Sequence, residues 1–407
     1  MIRSVCVTAL LAFTSLPALA APAHWVGSWA AAQQLPEPQN ALAPADLHDA
    51  TLRQVVRLSA GGNRIRLRLS NAFGAQPLVI DRVHVARALS PATARIDPAS
   101  DKAVTFNGAA SVTIPAGASY LSDPVAMAAA PLSVLTVSLH LPEAPDRQTS
   151  HPGSRSTSYI AHGSQSAAAD LPGAQKVEHW YQLAGIEVEA LAGAGAVVTL
   201  GDSITDGHGA TTNGNDRWTD KLAERLQASP ATRSLSVLNE GIGGNRLLLD
   251  GLGPNALARF DRDVLAQPGV RTVVLLEGVN DLGTLTRDAP VLPEGHAALV
   301  AHIIDAYRQI IERAHAAGVK VIGATILPYA GSAYYHPDAA NEADRQAVNR
   351  WIREPGHFDA MVDFDRVTRD LAHPDRLRPD FDSGDHLHPS PAGYKAMADA
   401  VPLALLR

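Results

Sequence analysis

An α/β domain preceded by an all-β domain is the fold class that the sequence predicts, and two hydrophobic patterns predict it. From about Trp25 to Glu189, apolar and polar residues alternate in short runs separated by turn residues, as in antiparallel strands with one buried face. After the Ala- and Gly-rich segment EALAGAGA, short apolar runs alternate with helical stretches. That second pattern predicts a parallel sheet covered by helices on both faces. We therefore expect an all-β domain over residues 21–190 and an α/β domain over residues 191–407.

The first half contains several segments that favour antiparallel strands. LRQVVRLSAGGNRIRLRLSNAFG alternates apolar and polar residues on both sides of Gly61 and Gly62, which predicts a hairpin turning at these glycines. AVTFNGAASVTIPAG and PLSVLTVSLHLP continue the pattern, with turn residues at short intervals. These segments predict a β-sandwich or a jelly-roll-like domain.

The second half contains strand and helix segments in alternation. The predicted strands are AVVTL, LSVLN, RTVVLLEG, VKVIGATIL and AMVDF, and the helices include RWTDKLAERLQ, ALVAHIIDAYRQIIERAHAAG and SPAGYKAMADAVPLALL. Gly318 stands where a glycine commonly ends a helix, and Ser390 before Pro391 is typical of a helix start. Ligands of such sheets bind beyond the carboxyl ends of the strands, so residues that follow the strands are candidates for the site.

The N-terminus and the overall charge limit the function classes. Residues 1–20 have one cation, an apolar stretch and small residues at the end, which predicts a signal peptide cut after Ala20 and hence export to the periplasm or beyond. The only cysteine, Cys6, lies within that segment, so neither disulfides nor thiolate chemistry is expected. A net charge of −7 and a pI near 6.1 argue against nucleic acid as a partner. The sequence offers no membrane span and leaves the oligomeric state open.

A serine at the end of the first α/β strand is the first candidate for chemistry. Ser203 follows that strand in VVTLGDSITDGHG, where a serine could equally serve only to shape a turn. Near the other end of the domain, DSGDHLHPSPAGY places Asp385 three residues before His388. An aspartate can orient one imidazole nitrogen and leave the other to accept a serine proton. A surface pair is the alternative interpretation of these two residues.

Two further loops supply donors for an oxyanion. Gly244 lies in LNEGIGGNR, where a backbone N–H can approach a substrate closely, and Asn280 lies in LLEGVNDLG, where its amide can donate. Either residue could instead belong to an ordinary turn. A metal site is a rival hypothesis for the C-terminal segment, on the possible ligands Asp382, Asp385, His386 and His388. Their spacing matches no common zinc motif, so no metal and no cofactor is expected.

Together the four segments resemble the SGNH, or GDSL, hydrolases, in the order and sheet context of that family. Gly201-Asp202-Ser203, Gly244, the stretch GVND and the stretch DHLHP correspond to its four blocks. Thr205 replaces the last glycine of a Gly-x-Ser-x-Gly elbow, which argues against the α/β-hydrolase fold. The resemblance implies a flavodoxin-like three-layer α/β/α catalytic domain, similar to secreted bacterial hydrolases with an N-terminal β-sandwich.

The same resemblance implies a role for each matching residue. Ser203 would be the nucleophile, His388 the general base and Asp385 the group that orients His388. The oxyanion would be bound by the backbone N–H groups of Ser203 and Gly244 and by the Asn280 side chain. Asp202 and Asp281 would brace their loops. His386, the other histidine of DHLHP, would be a neighbour of the site.

Substrate contacts are less defined by the sequence. Trp218, Tyr334 and Tyr335 are candidate substrate-binding residues, although core packing is an alternative for Trp218. Trp25, Trp29 and Trp180 could form a platform for sugars or pack inside the β domain, and His151 and His208 are interpreted as surface histidines. We expect an exported serine esterase that acts on small-molecule or polysaccharide esters, with acetyl groups on carbohydrates favoured. The alternatives are a lipase or arylesterase of broad specificity, or a carbohydrate-binding protein whose hydrolase-like domain is inert.

Overall fold

Two large antiparallel sheets and two two-stranded ones form the N-terminal part of the chain in the computed structural model, which describes residues 24–407. The predicted signal peptide lies outside the described residues. The strands of this part are β1 (Trp25–Ala30), β2 (Ala50–Arg57), β3 (Ile65–Ser70), β4 (Leu78–Ile80), β5 (Arg82–Arg87), β6 (Lys102–Ala103), β7 (Val112–Ile114), β8 (Ser119–Leu121), β9 (Val134–Leu141), β10 (Ser150–His151), β11 (Ser158–His162), β12 (Gln175–Val177), β13 (Trp180–Tyr181) and β14 (Leu183–Glu189). One short helix, α1 (Pro44–Leu47), and a 3₁₀ turn (Pro98–Ser100) interrupt them.

These strands form a β-sandwich, which confirms the predicted fold class. One of the large sheets has six strands in the order β12-β11-β2-β9-β5-β6, and the other has four in the order β1-β14-β3-β8. The apolar faces meet in one core, as β3 illustrates: Ile65, Leu67 and Leu69 are fully buried, while Arg66 and Arg68 between them are only half-buried. This period-two alternation is what burial of a single face requires.

The hairpin predicted around Gly61 and Gly62 is wrong. The flanking strands β2 and β3 do not pair with each other, because β2 pairs with β9 and β11 while β3 pairs with β14 and β8. The chain passes between them from the six-stranded to the four-stranded sheet. Alternating burial is the same whether two strands are neighbours or face each other across a core, so the pattern alone could not identify the partner.

A five-stranded parallel sheet forms the centre of the C-terminal part. Its strands are β15 (Gly195–Gly201), β16 (Leu235–Gly241), β17 (Val270–Leu276), β18 (Lys320–Ala324) and β19 (Ala360–Val362). Their order in the sheet, β16-β15-β17-β18-β19, is the flavodoxin-like order. Every residue of β15 is buried, which shows that both faces of the sheet are covered there. The predicted three-layer α/β/α architecture is confirmed.

The helices of this part fall into two groups. They are α2 (Ser203–Asp206), α3 (Trp218–Ala228), α4 (Ala256–Phe260), α5 (Val279–Thr286), α6 (Pro293–Ala316), α7 (Ala339–Arg353), α8 (Phe364–Thr368) and α9 (Pro391–Ala400), with a π turn at Asp261–Leu265 and a 3₁₀ turn at Leu403–Leu406. Helices α3, α8 and α9 pack together, and α4 to α7 pack together. No helix within residues 24–407 is both long and apolar enough to cross a membrane.

Two of the predicted helix signals act as expected. The Ser390 side chain accepts a hydrogen bond from the Gly393 N–H at 3.3 Å, and Pro391 is the first residue of α9. Gly318 follows α6 with a φ of 72°, a left-handed conformation that glycine adopts without steric cost. Together they fix the ends of the helices that bring the C-terminal loop back to the sheet.

The first strand joins the two parts. β1 pairs with β14 of the sandwich and also packs on β16 of the parallel sheet. Val26 and Ala30 belong to the core of the parallel sheet, and the Gly27 N–H donates to the Pro268 carbonyl at 2.9 Å. Across the same junction, the Val237 N–H donates to Ser59 Oγ at 3.0 Å. The sandwich therefore lies against the parallel-sheet half over a packed, hydrogen-bonded junction.

The junction should be sensitive to added volume at Gly27. A Cβ at this position would lie 2.7 Å from Leu238 Cδ1, so Gly27→Val should lower the free energy of unfolding by about 1–3 kcal/mol. Urea unfolding followed by circular dichroism measures this loss. Gly185→Ala is the matched control, because the atom nearest to its added Cβ is 3.4 Å away. An unchanged unfolding midpoint for Gly27→Val would show that the two parts do not pack tightly here.

Candidate active site

Ser203 lies at the carboxyl end of β15, at the start of the short helix α2. The Asp202 side chain caps this helix by accepting a hydrogen bond from the Ile204 N–H at 2.8 Å. The turn holds Ser203 at the mouth of the sheet, where its side chain is almost wholly buried by neighbouring loops. This is the sheet edge at which ligands of open α/β folds bind.

His388 reaches Ser203 from the loop before α9. Its Nε2 atom lies 2.7 Å from Ser203 Oγ, and its Nδ1 atom lies 2.6 Å from Asp385 Oδ2. The other Asp385 oxygen, Oδ1, accepts the backbone N–H groups of Leu387 at 3.0 Å and His388 at 2.8 Å. Asp385 therefore holds both the backbone and the ring of His388, which leaves Nε2 as an acceptor facing the serine hydroxyl.

The pKa of Asp385 reflects these contacts. Burial favours the neutral carboxyl, but the hydrogen bonds and charge from His388 outweigh burial and hold the pKa of Asp385 well below its usual range. Asp385 is therefore ionised at any pH at which the protein would work. An ionised partner stabilises a positive charge on His388.

Gly244 lies in the loop after β16 and Asn280 in the first turn of α5, which follows β17, and both line the same cleft as Ser203. Within residues 24–407, the backbone N–H groups of Ser203 and Gly244 donate to no acceptor. Asn280 Nδ2 uses one of its two hydrogens, which it donates to the Asn245 carbonyl at 2.7 Å. Unpartnered N–H groups in a cleft are suited to bind an oxygen that gains negative charge.

Tyr335 fixes the orientation of the Asn280 amide. Its hydroxyl donates to Asn280 Oδ1 at 2.5 Å, so the nitrogen and oxygen of that amide cannot exchange places without losing this bond. The Tyr335 ring is 98% buried and packs on Gly283. Tyr335 thus supports Asn280 and also lines the cleft, so its predicted substrate contact stays a prediction.

The two other aromatic candidates lie in different surroundings. Trp218 is fully buried in the core beside Phe364, at 5.4 Å between ring centroids, and it does not line the cleft. Tyr334 is exposed at the cleft rim, where Arg287 lies over its ring. The loop that follows β18 therefore contributes one exposed and one buried tyrosine to the site.

Carboxyl groups lie beneath Ser203 and brace the loops. Asp281 accepts the backbone N–H groups of Leu247 at 2.9 Å and Leu248 at 3.1 Å, and so connects the segments that carry Asn280 and Gly244. Burial raises the pKa of Asp281 to about 6 and that of Asp202 to about 7. The buried Arg259 guanidinium offsets part of this charge and donates to the Gly201 carbonyl at 3.0 Å.

The cleft has a volume of about 1100 Å³ and is lined by both halves of the chain. The β domain contributes two segments, residues 34–40 after β1 and residues 152–155 after β10. The lining side chains from these segments are mainly polar or charged, namely Gln34, Glu37, Gln39, Asn40 and Arg155. No pattern in the sequence predicted this lining, because periodicity does not show which loops of one domain reach another.

His151 is not the surface histidine that the sequence indicated, whereas His208 is exposed as expected, on the wall of the cleft. His151 is buried, with Nδ1 2.8 Å from the Ala32 carbonyl and Nε2 2.9 Å from Asp206 Oδ1. His208 is about half exposed within the cleft, and its ring centroid lies 4.1 Å from that of His388. His208 lies five residues after Ser203, and this short separation is the one sequence signal that could have placed it beside the serine.

Metal coordination is the remaining chemical possibility at this site. Ligand atoms of His208, Asp385 and His388 lie within 4.8 Å of one another. Both nitrogens of His388 are engaged with Asp385 and Ser203, so the hydrogen bonds already account for their arrangement. The other two residues of the metal hypothesis, Asp382 and His386, bond to each other at 2.5 Å.

Comparisons with known proteins agree with this geometry. Residues 199–396 match the model of the GDSL-like lipase/acylhydrolase family. No curated protein sequence matches the chain significantly.

Several solved structures are similar to about half of the chain. An acetylxylan esterase from Geobacillus stearothermophilus is 23% identical, with a TM-score of 0.38, over 51% of this chain and 93% of its own. A GDSL-like lipase from Bacteroides thetaiotaomicron is 20% identical, with a TM-score of 0.37, over 52% and 87%. An α/β hydrolase enzyme from the metagenome of Lake Arreo is 24% identical, with a TM-score of 0.37, over 53% and 96%. Through residues 199–396 the chain belongs to the GDSL-like lipase/acylhydrolase family, and the protein is an esterase.

Proposed function

We propose that this esterase is an exported enzyme that removes short acyl groups, acetyl above all, from polar alcohols such as carbohydrates, through an acyl-enzyme on Ser203. The observation that carries the catalytic part is the hydrogen-bonded series from Ser203 through His388 to Asp385, at 2.7 and 2.6 Å. It opens onto a cleft that also presents unpartnered N–H donors. A nucleophile, a base and oxyanion donors are the groups that ester hydrolysis needs.

The first half of the reaction acylates the enzyme. His388 Nε2 accepts the proton of Ser203 Oγ as the oxygen attacks the ester carbonyl carbon, and Asp385 stabilises the imidazolium that forms. The carbonyl oxygen becomes an oxyanion, which the N–H groups of Ser203 and Gly244 and the free Asn280 hydrogen would bind. When this intermediate collapses, His388 returns the proton to the departing alcohol.

The second half restores the enzyme. Water enters from the open cleft and gives a proton to His388 as its oxygen attacks the acyl carbon. The same donors bind the second oxyanion, and the acid leaves as Ser203 Oγ recovers its proton. Because His388 must accept a proton in each half, its Nε2 atom has to be free of a proton when each half begins.

The polar wall supports the proposed substrate class. Glu37 accepts hydrogen bonds from Gln34 Nε2 at 2.8 Å and Asn40 Nδ2 at 2.7 Å, and this arranges a set of amide groups facing the cleft. Such groups can bond the hydroxyls of a sugar but gain nothing from an alkyl chain. Trp29 and Trp180 pack edge to face within the sandwich at 4.8 Å, so they offer no sugar platform.

Export is the remaining part of this proposal, and it rests on the sequence of residues 1–20 alone. A signal peptide cut after Ala20 would leave a chain without cysteine. Such a chain needs no disulfide in an oxidising compartment. The enzyme would then meet its substrates in the periplasm or outside the cell.

Replacing the proposed nucleophile tests the mechanism. Ser203→Ala should lower kcat on p-nitrophenyl acetate by about 10⁴-fold or more, since no hydroxyl remains to be acylated. Ser236→Ala serves as the control, because Ser236 is a buried serine of β16 that does not line the cleft. A Ser203→Ala variant that folds normally and keeps the wild-type rate would contradict the mechanism.

Removing the Tyr335 hydroxyl tests the oxyanion site. Tyr335→Phe removes the bond that fixes the Asn280 amide, so kcat should fall roughly 5- to 10-fold while KM changes little. A fall of this size corresponds to the loss of one hydrogen bond. Tyr329→Phe is a matched control, because Tyr329 is equally buried nearby and its hydroxyl has no partner among the described residues. Equal rates for the two variants would show that the amide needs no such support.

A substrate series tests the proposed specificity. Initial rates on p-nitrophenyl esters from acetate to palmitate should be highest at acetate, because the β-domain side of the cleft offers mainly polar or charged groups, which gain nothing from an alkyl chain. Acetate release from acetylated xylan should accompany this preference. A preference for long acyl chains would instead make the enzyme a lipase, and activity on aryl esters alone would make it an arylesterase.

A further inference from the structure

One loop of the β domain reaches the active site and is anchored there. Gly153 lies so close to α2 that a Cβ would stand 1.7 Å from Asp206 Oδ2. Arg217, which precedes α3, donates to the Ser154 carbonyl. Asn213 donates its backbone N–H to the Arg155 carbonyl at 2.9 Å and accepts the Thr157 N–H at 2.8 Å. Residues 152–157 are therefore fixed to the catalytic half by backbone contacts on both sides of Arg155.

Arg155 adopts an unusual backbone conformation in this loop. Its φ is 46°, in the left-handed region that residues with a Cβ rarely occupy. Such conformations persist where the surrounding contacts enforce them, and they cluster at functional sites. Here the conformation accompanies an arginine side chain that lines the cleft beside His208.

The Arg155 guanidinium determines which nitrogen of His208 carries a proton. Arg155 Nη2 lies 2.7 Å from His208 Nδ1. A guanidinium can only donate, so His208 Nδ1 must be an acceptor without a hydrogen. The proton of His208 is then on Nε2, the atom 3.8 Å from Asp385 Oδ2. That oxygen is the same one that accepts His388 Nδ1.

The groups around His208 favour its neutral form. Arg155 faces it from the β domain, His388 and Asp385 from the loop before α9, and Asp206 from α2. Desolvation in the cleft, together with the charges of His388 and Arg155, lowers the pKa of His208 to about 4, although the two carboxylates act in the opposite direction. The neutral ring rests against His388, with 4.1 Å between the centroids.

We propose that Arg155 is a positioning residue contributed by the β domain. It holds His208 neutral, with the His208 proton on Nε2. The His208 ring then supports the ring of His388 and does not repel the positive charge that His388 gains. The inference rests on the proposed catalytic role of His388. A protonated His208 in contact with His388 would repel the imidazolium formed during acylation. The β domain is in this way a working part of the active site, in addition to one wall of the cleft.

A double-mutant cycle tests whether Arg155 acts through His208. In the full-length enzyme, Arg155→Ala removes the donor and the charge, so His208 should become protonated at higher pH. The acid limb of the plot of kcat against pH should therefore move to higher pH, and KM should not change. At pH 6, kcat should be about tenfold lower than in the wild type, which corresponds to the loss of one charged hydrogen bond. In a His208→Phe background the ring remains but cannot titrate, so Arg155→Ala should change neither kcat nor the acid limb by more than about twofold.

Two further variants complete the experiment. Arg155→Lys keeps a cationic donor and should restore most of the pH profile. Arg147→Ala removes an exposed arginine of the same domain that does not line the cleft, and it should leave the profile unchanged.

The possible failures are distinguishable. Equal losses from Arg155→Ala in both backgrounds, or a raised KM with an unmoved acid limb, would overturn the inference and indicate that Arg155 contacts the substrate. Full activity of Ser203→Ala would overturn the proposed mechanism itself.

Discussion

The hydrogen bond between Ser203 Oγ and His388 Nε2 joins residues 185 positions apart in the sequence, and the site depends on it. The segment that carries each partner is held in place by hydrogen bonds to a nearby aspartate. Asp202 caps the turn that presents Ser203, and Asp385 binds both the backbone and the ring of His388. The parallel sheet brings the two residues to the same edge, because β15 ends where the loop before α9 returns. A small displacement of either loop would lengthen the hydrogen bond between Ser203 and His388.

The β domain covers the site and also contacts the elements that carry it. β1 adds Val26 to the core of the parallel sheet, and the segment 152–157 lies against α2 and the loop before α3. His151 and Asp206 make a buried pair across the junction, in which two acceptors face one imidazole. The His151 ring therefore connects the Ala32 carbonyl of the β domain to Asp206 of α2. The two halves thus form one structural unit around the cleft.

The residues that the sequence could single out are those whose local surroundings already resemble their final role. The strand-turn pattern at Ser203, the cap at Ser390 and the Asp385–His388 spacing depend on neighbours within a few positions, so they could be recognised without a fold. Trp218 and His151 depended instead on partners far away in the chain. Their placement differs from expectation because type and spacing do not show what a side chain packs against.

The sequence by itself determined the order of strands and helices, the sandwich and the parallel sheet, since these follow from hydrophobic period and turn residues. It also indicated the four loops that would carry the chemistry. Only the tertiary structure decided which strands pair, as the absent hairpin at Gly61 shows, and which loops of the β domain enter the cleft. These outcomes depend on contacts between distant segments, whose energies no local pattern encodes. For that reason Ser203 could be singled out once the four loop segments of the sequence were considered together, whereas the proposed role of Arg155 becomes visible only when both domains are in place.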